Sequence, residues 1–224
     1  MFLKHYYIMT YSEEDYIKAI YHLSKDLKSF ASTSGIAAQL DTKASSVTDM
    51  IQKLSDKKVV HYKKYQGVRL TEKGEAYAAA IVRKHRLWEY FLVEKLNFSW
   101  DEVHEVAEEL EHIKSEKLIE RLDSFLDFPK VDPHGDPIPD QHGKVPDIKK
   151  VLLSVMKEGQ SGIVIGVKDS SSKFLRYLDK LNVALGAEIK VLEREAFDNS
   201  MVIVIDQQTV HISAITAANI YIKT

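Results

Sequence analysis

The stretch STSGIAAQLDTKASSVTDMIQKLSDKKVV, residues 32–60, contains two helical patterns separated by a short break. The break is DTKA at 41–44, where polar residues interrupt the apolar spacing. Two helices joined by so short a turn form the layout of a helix-turn-helix unit. The residues predicted to pack inward from the second of these helices are Val47, Met50, Ile51 and Leu54.

The same layout extends on both sides of this stretch. Upstream, residues 12–23 have the spacing of an amphipathic helix, and Ser12 is its predicted N-cap. Downstream, VVHYKKYQGVRLT at 59–71 predicts two strands around a YQG turn. A hairpin in this position is the wing of a winged helix.

The charge of this region indicates its partner. Residues 42–73 carry eight Lys or Arg and three Asp or Glu, so the segment is strongly basic although the whole chain has a net charge of −2. Lysines neutralise phosphates, and short hydroxyl and amide side chains at a helix start bond phosphates or base edges. A winged helix used for protein contacts is the alternative, but the basic wing favours double-stranded DNA. The predicted DNA-binding residues are Lys43, Ser45, Ser46, Thr48, Asp49, Gln52, Lys53, Lys63, Lys64 and Tyr65.

Acidic residues and histidines concentrate in HEVAEELEH, residues 104–112. At about 100° per residue, one side of a helix here would carry two imidazoles and two carboxylates. A solvated acidic face is the plain alternative, and a metal site is the functional one. The four residues of that stripe are His104, Glu108, Glu111 and His112.

Three further residues are candidate metal ligands, and each has an ordinary alternative. His85 and Glu89 are four residues apart on one helical face, which also suits a simple side-chain pair. Asp15 lies near the start of the first helix, where a carboxylate interacts favourably with the helix dipole.

Composition and proline placement set the broader organisation. The chain has 224 residues and no cysteine, which excludes disulfides and thiolate sites and fits a reducing compartment. The N-terminal residues have no long apolar run, so we expect neither a signal peptide nor a membrane span, and a cytoplasmic location. All five prolines fall within residues 129–146, a segment predicted to be an extended connector. Several short apolar strands with one helix follow it and predict a small barrel.

Six segments taken together resemble the diphtheria toxin repressor family of metal-dependent transcriptional repressors. These segments are SEEDYIKAIYHL, ASSVTDMIQKL, YQGVRLTEKG, RKHRLWEYF, EELEH and GDPIPD, in that order through about residues 11–140. The resemblance implies a mainly α protein with small β parts. Its expected segments are a winged helix-turn-helix domain at 1–75, a helical metal-binding and dimerisation domain at 76–128, a Pro-rich linker at 129–147 and an SH3-like (FeoA-like) β-barrel at 148–224.

The resemblance also implies the roles of individual residues. The principal metal site would use Asp15, Glu108, Glu111 and His112, and a second site would use His85, Glu89 and His104. The family's manganese sensors have carboxylates at the positions of Asp15 and Glu108, where its iron sensors have methionine and cysteine. Oxygen and imidazole donors suit Mn²⁺ and Fe²⁺, so the predicted function is Mn²⁺-dependent repression of metal-uptake genes, with Fe²⁺ as the alternative.

Two departures from the family pattern modify these expectations. Some manganese sensors carry a further Glu on the first helix, and Lys18 stands at that position, so we do not expect their two-metal cluster in the same form. Iron sensors take Glu and Gln ligands from the third domain, where this chain has Ser170 and Lys173, which leaves Asp169 as the open candidate.

The family further implies a homodimer that binds a near-palindromic operator. A non-haem metal enzyme is the rival class, because Glu109 and His112 have the E-x-x-H spacing of di-iron bundles. That class needs a matched second motif, and Asp101 with His104 lies on the same predicted helix, so we expect no enzyme. Ordinary core packing is the alternative for the apolar residues predicted to form dimer contacts, which are Leu118, Ile119, Leu122, Phe125 and Leu126.

Overall fold

The structure is a computed structural model that describes residues 9–24 and 29–224. The chain divides into two compact units, and each is described separately below. The first unit comprises the N-terminal residues to Lys84 together with Glu111–Lys114 and Pro139–Lys144. The second comprises His85–Leu110, Ser115–Ile138 and Val145–Thr224. Residues 1–8 of the predicted winged helix-turn-helix domain lie outside the described residues.

The first unit contains a winged helix. Three helices precede a two-stranded antiparallel hairpin, and a fourth helix begins directly after it. This order confirms the predicted helix-turn-helix and wing. Its elements are α1 (Tyr11–Leu23), α2 (Thr33–Gln39), α3 (Ala44–Asp56), β1 (Val60–Lys63) and β2 (Gly67–Leu70).

The start of α1 differs from the sequence prediction. Thr10, not Ser12, is the N-cap: its hydroxyl accepts a hydrogen bond from the Glu13 backbone N–H, and the Glu13 carboxylate accepts one from the Thr10 N–H. This reciprocal capping box satisfies two N–H groups that the helix itself leaves unbonded. Asp15 therefore lies beyond the first turn and has no capping role.

One apolar core holds this unit together. Side chains from all three helices and from both strands meet in it, and each fully buried Ile or Leu contributes about 1.5–3 kcal/mol. Gly67 allows the hairpin to pack closely, since its φ is +113° and a Cβ there would lie 2.3 Å from the Ala31 carbonyl oxygen. The fully enclosed residues include Ile17, Ile20, Ile36, Ile51 and Leu54.

Three helices follow the wing. α4 (Glu72–Leu96) is the longest at 25 residues, and α5 (Val103–Leu110) and α6 (Glu116–Phe125) are short. α5 ends at Leu110, so Glu111 and His112 lie in the turn after the helix. None of the helices in residues 9–24 and 29–224 combines the length and apolarity that a membrane crossing needs.

The C-terminal part of the second unit is a six-stranded antiparallel sheet with strand order β3-β8-β4-β5-β6-β7. The short apolar strands and the helix predicted after the Pro-rich segment are confirmed as β4 to β8 and α7, and β3 and a last short helix were not predicted. The order begins at β3 and ends at β7, and no pairing joins these two strands within residues 145–224. The elements are β3 (Val151–Leu152), β4 (Ser161–Val167), α7 (Ser172–Lys180), β5 (Glu188–Arg194), β6 (Met201–Ile205), β7 (Gln208–Ile212), α8 (Ala214–Ala217) and β8 (Ile220–Lys223).

The predicted fold class is confirmed: a winged helix, a helical segment and a small β domain follow one another along the chain. The domain boundaries at residues 75, 128 and 147 stay predictions.

Candidate functional site

Three groups of candidate metal ligands lie in the described residues, and the first is in the first unit. This first cluster consists of Asp15, Glu111 and His112, whose donor atoms all lie within 4.8 Å of one another. Asp15 Oδ1 is 3.2 Å from His112 Nε2. Helix α1 supplies Asp15, and the turn after α5 supplies the other two.

The ring of His112 is held by two neighbours on α1. Its Nδ1 is 2.7 Å from Glu14 Oε2, and the ring of Tyr11 stacks on it with centroids 4.6 Å apart. A hydrogen bond to one ring nitrogen fixes which nitrogen remains for a metal. The geometry leaves Nε2, the atom that faces Asp15, as the ligand atom.

Lysines lie close to Glu111, one of the two carboxylates of the first cluster. Lys18 Nζ lies 2.8 and 2.7 Å from the two oxygens of Glu111, whose side chain is fully buried. Burial lowers the pKa of Lys84, while the nearby carboxylates Glu14 and Glu111 act in the opposite direction. The buried acid Glu111 is thus stabilised by positive charge from the protein itself.

The second cluster, in the second unit, consists of His85, His104 and Glu108. Glu108 Oε1 lies 3.8 Å from His85 Nδ1 and 3.4 Å from His104 Nε2. Glu89 Oε1 reaches the same two rings, 2.9 Å from His85 Nε2 and 3.3 Å from His104 Nδ1. Two imidazoles and two carboxylates therefore converge between α4 and α5.

The third cluster consists of Glu89, Asp132 and His134, and all three side chains are buried. Glu89 Oε2 is 3.7 Å from His134 Nδ1, and His134 Nε2 donates to the Trp100 backbone carbonyl at 2.7 Å. One oxygen of Glu89 therefore faces the second cluster while the other faces the third.

Proton affinities in the third cluster depart from their ordinary values. Burial, together with the charges of Glu89 and Asp136, raises the pKa of Asp132 to about 7. Burial acts to lower the pKa of His134, but Glu89 and Asp132 outweigh it and raise this pKa to about 9. Burial acts to raise the pKa of Glu89, yet hydrogen bonds from the surrounding histidines hold it well below its usual range.

The loop that carries Asp132 and His134 is fixed to β4. The Val167 N–H donates to the His134 carbonyl at 2.9 Å. Gly135 has a φ of +81°, and a Cβ at this position would lie 1.8 Å from the Ile165 carbonyl oxygen. Only glycine allows the two backbones to approach this closely.

The predicted metal ligands are brought together, but in a different grouping. Asp15, Glu111 and His112 cluster as predicted, as do His85, Glu89 and His104. Glu108, assigned to the principal site by the resemblance, lies beside His85 and His104 instead. Helix α5 ends at Leu110, so Glu111 and His112 leave the helical stripe that they were predicted to share with His104 and Glu108. The role of each ligand remains a prediction.

Sequence reasoning missed Asp132 and His134. The signal was the DPHGD motif at 132–136, an Asp and a His two residues apart inside the Pro-rich segment. Asp169, the open candidate from the third domain, is exposed, accepts a hydrogen bond from the Ser171 N–H and belongs to none of the three clusters.

All ten predicted DNA-binding residues are exposed. Those on α3 line its outer side and those of the wing surround its tip, where Tyr65 is 93% exposed. The Phe30 ring supports the wing cations, with Lys63 Nζ 5.5 Å and the Arg69 guanidinium 5.4 Å from its centroid. Cation–π contacts with the Phe30 ring therefore hold two positive charges of the hairpin.

The donor sets fit a hard or borderline divalent cation. Each cluster combines carboxylate oxygens with imidazole nitrogens, and the chain has no thiolate to offer. Such sets suit Mn²⁺ and Fe²⁺, whereas sites built for softer ions use sulfur.

Family models match most of the chain. Residues 9–68 match the iron-dependent repressor N-terminal DNA-binding domain, residues 71–140 match the iron-dependent repressor metal-binding and dimerisation domain, and residues 151–224 match the FeoA domain.

Individual relatives agree with these matches. The chain is 36% identical over 143 residues to the HTH-type transcriptional regulator MntR of Oceanobacillus iheyensis, covering 64% of this chain and 90% of the relative. It is 35% identical over 126 residues to the iron-dependent repressor IdeR of Mycobacterium bovis, covering 56% of this chain and 54% of the relative. A solved manganese-dependent transcriptional repressor in complex with manganese superposes with a TM-score of 0.82 at 36% identity, covering 94% of this chain and 98% of the other.

The matched models describe the first two domains as those of iron-dependent repressors. The winged helix, the clusters of oxygen and nitrogen donors and these matches lead to one conclusion. The chain belongs to the diphtheria toxin repressor family of metal-dependent transcriptional repressors.

Proposed function

We propose that this chain is a manganese-responsive repressor that binds Mn²⁺ and then operator DNA to control metal-uptake genes. The observation that carries the proposal is the first cluster, because Asp15 belongs to the winged helix while Glu111 and His112 follow α5. A metal ion held by these three residues would link α1 of the DNA-binding part to the turn at 111–114.

The metal would act by shifting a population. The acidic residues Glu14, Asp15 and Glu111 gather around His112, and a divalent cation would offset their mutual repulsion. Binding would thereby favour the arrangement in which α1 and the turn after α5 are held together. Linkage then requires operator DNA to tighten metal binding by the same factor, which corresponds to about 1–3 kcal/mol in typical systems.

The second and third clusters provide a further place for metal. His85, His104 and Glu108 would bind one ion with Glu89 Oε1, and Asp132 and His134 would bind another with Glu89 Oε2. Fe²⁺ is the second candidate metal, because the matching family models are those of iron-dependent repressors and the same donors accept Fe²⁺.

The proposed complex is a homodimer on double-stranded DNA, with one α3 helix per half-site. Within the predicted dimer helix, Leu118 and Phe125 are exposed seven residues apart on one side of α6, so they are the proposed contact residues. Ile119, Leu122 and Leu126 are buried within the chain and serve its own core.

We propose no enzymatic activity, since Glu109 is exposed and belongs to none of the three clusters, so the E-x-x-H pair is not assembled. A repressor of this kind would work in the cytoplasm, where it meets its DNA.

The test is DNA binding by the full chain to genomic fragments, first with chelator and then with graded Mn²⁺. Fe²⁺ runs in parallel without oxygen. Asp15→Asn removes one charged ligand from the first cluster, and Glu109→Gln is the matched control, because it removes one exposed carboxylate that belongs to no cluster.

The wild-type and Glu109→Gln chains should retain specific fragments only when metal is present. The Asp15→Asn chain should need at least about tenfold more Mn²⁺ for the same retention, because one charged contact contributes about 1.5–3 kcal/mol. Equal retention with chelator and with metal would refute the proposal. Specific retention with Fe²⁺ but not with Mn²⁺ would assign the second metal instead.

A further inference from the structure

The most informative contact outside the ligand set is the ion pair between Lys18 and Glu111. The Lys18 ammonium lies 2.8 Å from one carboxylate oxygen and 2.7 Å from the other, so both oxygens of Glu111 accept from the same cation. The Glu111 side chain is fully buried and that of Lys18 is 12% exposed, so water screens this pair very little.

The same carboxylate belongs to the first cluster, within 4.8 Å of donor atoms of Asp15 and His112. A carboxylate has a limited number of lone pairs, and a cation that engages both oxygens weakens their donation to another cation. A metal ion ligated by Glu111 must therefore displace the ammonium or share an oxygen with it. The helix that supplies the ligand Asp15 thus also supplies a competitor, three residues further on.

We propose that Lys18 is an internal competitor for the metal and sets the Mn²⁺ concentration at which the first cluster fills. This inference rests on the proposed metal site, and it assigns Lys18 a role in setting the threshold of the sensor. A buried carboxylate without a cation is strongly destabilising, so the lysine also keeps Glu111 charged and in place until a metal takes over.

The opposite role for Lys18 predicts the opposite change in metal affinity. An ammonium that orients Glu111 for the metal would be a helper, and its removal would weaken metal binding. A competitor gives the reverse sign, because its removal strengthens metal binding while destabilising the metal-free protein.

The experiment compares Lys18→Met with wild type by direct Mn²⁺ titration of the full chain under competition with a metal-binding dye. Methionine keeps the unbranched apolar stem and removes the charge. We expect the apparent dissociation constant for Mn²⁺ to fall about tenfold, which is the low end of what one charged hydrogen bond contributes. Thermal unfolding provides a second readout. With chelator present, the unfolding midpoint of Lys18→Met should be lower than that of wild type, and the rise in midpoint on adding Mn²⁺ should be larger than in wild type.

Two control variants separate this effect from general changes. Lys57 makes a bidentate pair of the same kind with Glu13, at 2.6 and 2.7 Å, but Glu13 is in no donor cluster. Lys57→Met should lower the unfolding midpoint without changing Mn²⁺ affinity. Lys114 contacts the Met9 carbonyl oxygen and the Tyr11 ring, so Lys114→Met removes a nearby charge without releasing Glu111.

A further variant keeps the test decisive if Lys18→Met does not fold. Lys18→Arg retains the charge and offers a planar fork that grips a carboxylate bidentately, so Mn²⁺ binding should weaken. Affinity equal to or lower than wild type in Lys18→Met, or unchanged in Lys18→Arg, overturns the proposal. If the wild-type chain itself binds no Mn²⁺, the metal site and this inference fail together, and that result is distinct from a failure of Lys18 alone.

Discussion

The close approach of Gly135 to β4 gives a prediction that can be quantified. The change is Gly135→Ala, and its matched control is Gly159→Ala. Both glycines have positive φ, +81° and +80°, so both variants incur the same left-handed backbone cost of about 1–2 kcal/mol. They differ in their surroundings, because a Cβ at Gly159 meets nothing within 4 Å, whereas one at Gly135 lies 1.8 Å from the Ile165 carbonyl oxygen.

The clash sets the size of the effect. Real Cβ atoms do not approach other heavy atoms closer than 3.0 Å, so the loop and β4 must separate by more than 1 Å. That movement would break the hydrogen bond from the Val167 N–H to the His134 carbonyl, at a cost of about 1–3 kcal/mol for buried groups left unbonded. We therefore expect Gly135→Ala to lower the free energy of unfolding by about 2–5 kcal/mol, and Gly159→Ala by about 1–2 kcal/mol.

Equilibrium urea unfolding, followed by far-ultraviolet circular dichroism with chelator present, measures both variants. A second measurement is Mn²⁺ titration, in which Gly135→Ala should disturb the third cluster and leave the first cluster intact, because Asp15, Glu111 and His112 belong to the other unit. Equal destabilisation by the two substitutions would refute the reasoning, since it would mean that the loop does not rest on β4.

Three further predictions concern other parts of the chain. Lys64→Gln at the exposed wing tip should weaken binding to all DNA sequences alike. DNA titrations at several salt concentrations should show the slope of log affinity against log salt reduced by about 0.9. An unchanged slope would mean that Lys64 does not contact phosphate. Phe125→Glu on the exposed side of α6 should raise the dimer dissociation constant at least about tenfold in sedimentation experiments, given that a buried aromatic contact contributes more than 1 kcal/mol, with little change in the urea midpoint. His134 has a pKa raised to about 9, above its unfolded value, so its contribution to stability is complete below about pH 6.5 and is lost as the pH rises through 9. The urea midpoint of the wild-type chain with chelator should therefore fall between pH 7 and pH 10 more steeply than that of His134→Asn, and parallel curves would contradict this account.

The parts of the fold that depend on local periodicity were predictable from the sequence. Apolar spacing located α3, the YQG turn located the wing, and short apolar runs located five strands of the sheet. These signals all arise from residues near in sequence. The prediction of Ser12 as the N-cap of α1 was wrong, because Thr10 and Ser12 are both good caps. The choice between them depends on which carboxylate reaches back, and Glu13 does so only for Thr10.

The candidate site was less predictable, for reasons of tertiary structure. The family resemblance grouped Glu108 with Glu111 and His112, and the predicted helical stripe put all three on one side of a helix. The stripe exists only while the helix continues, and α5 ends at Leu110. Asp132 and His134 lie in a Pro-rich segment that looks solvated in sequence. Contacts with Trp100, Arg86 and β4 bury this segment, and these partners are distant in sequence.

The placement of Glu89 has a consequence for how metal uptake would depend on concentration. One oxygen of this carboxylate lies beside His85 and His104, and the other faces His134, so the two neighbouring clusters share one carboxylate. An ion on one side would immobilise the Glu89 side chain and hold its other oxygen in place. Binding of the second ion would then cost less side-chain conformational entropy. Filling of these two clusters should then be cooperative, with a binding curve steeper than that of independent sites, and a single buried side chain would convert a graded rise in metal into a sharper response.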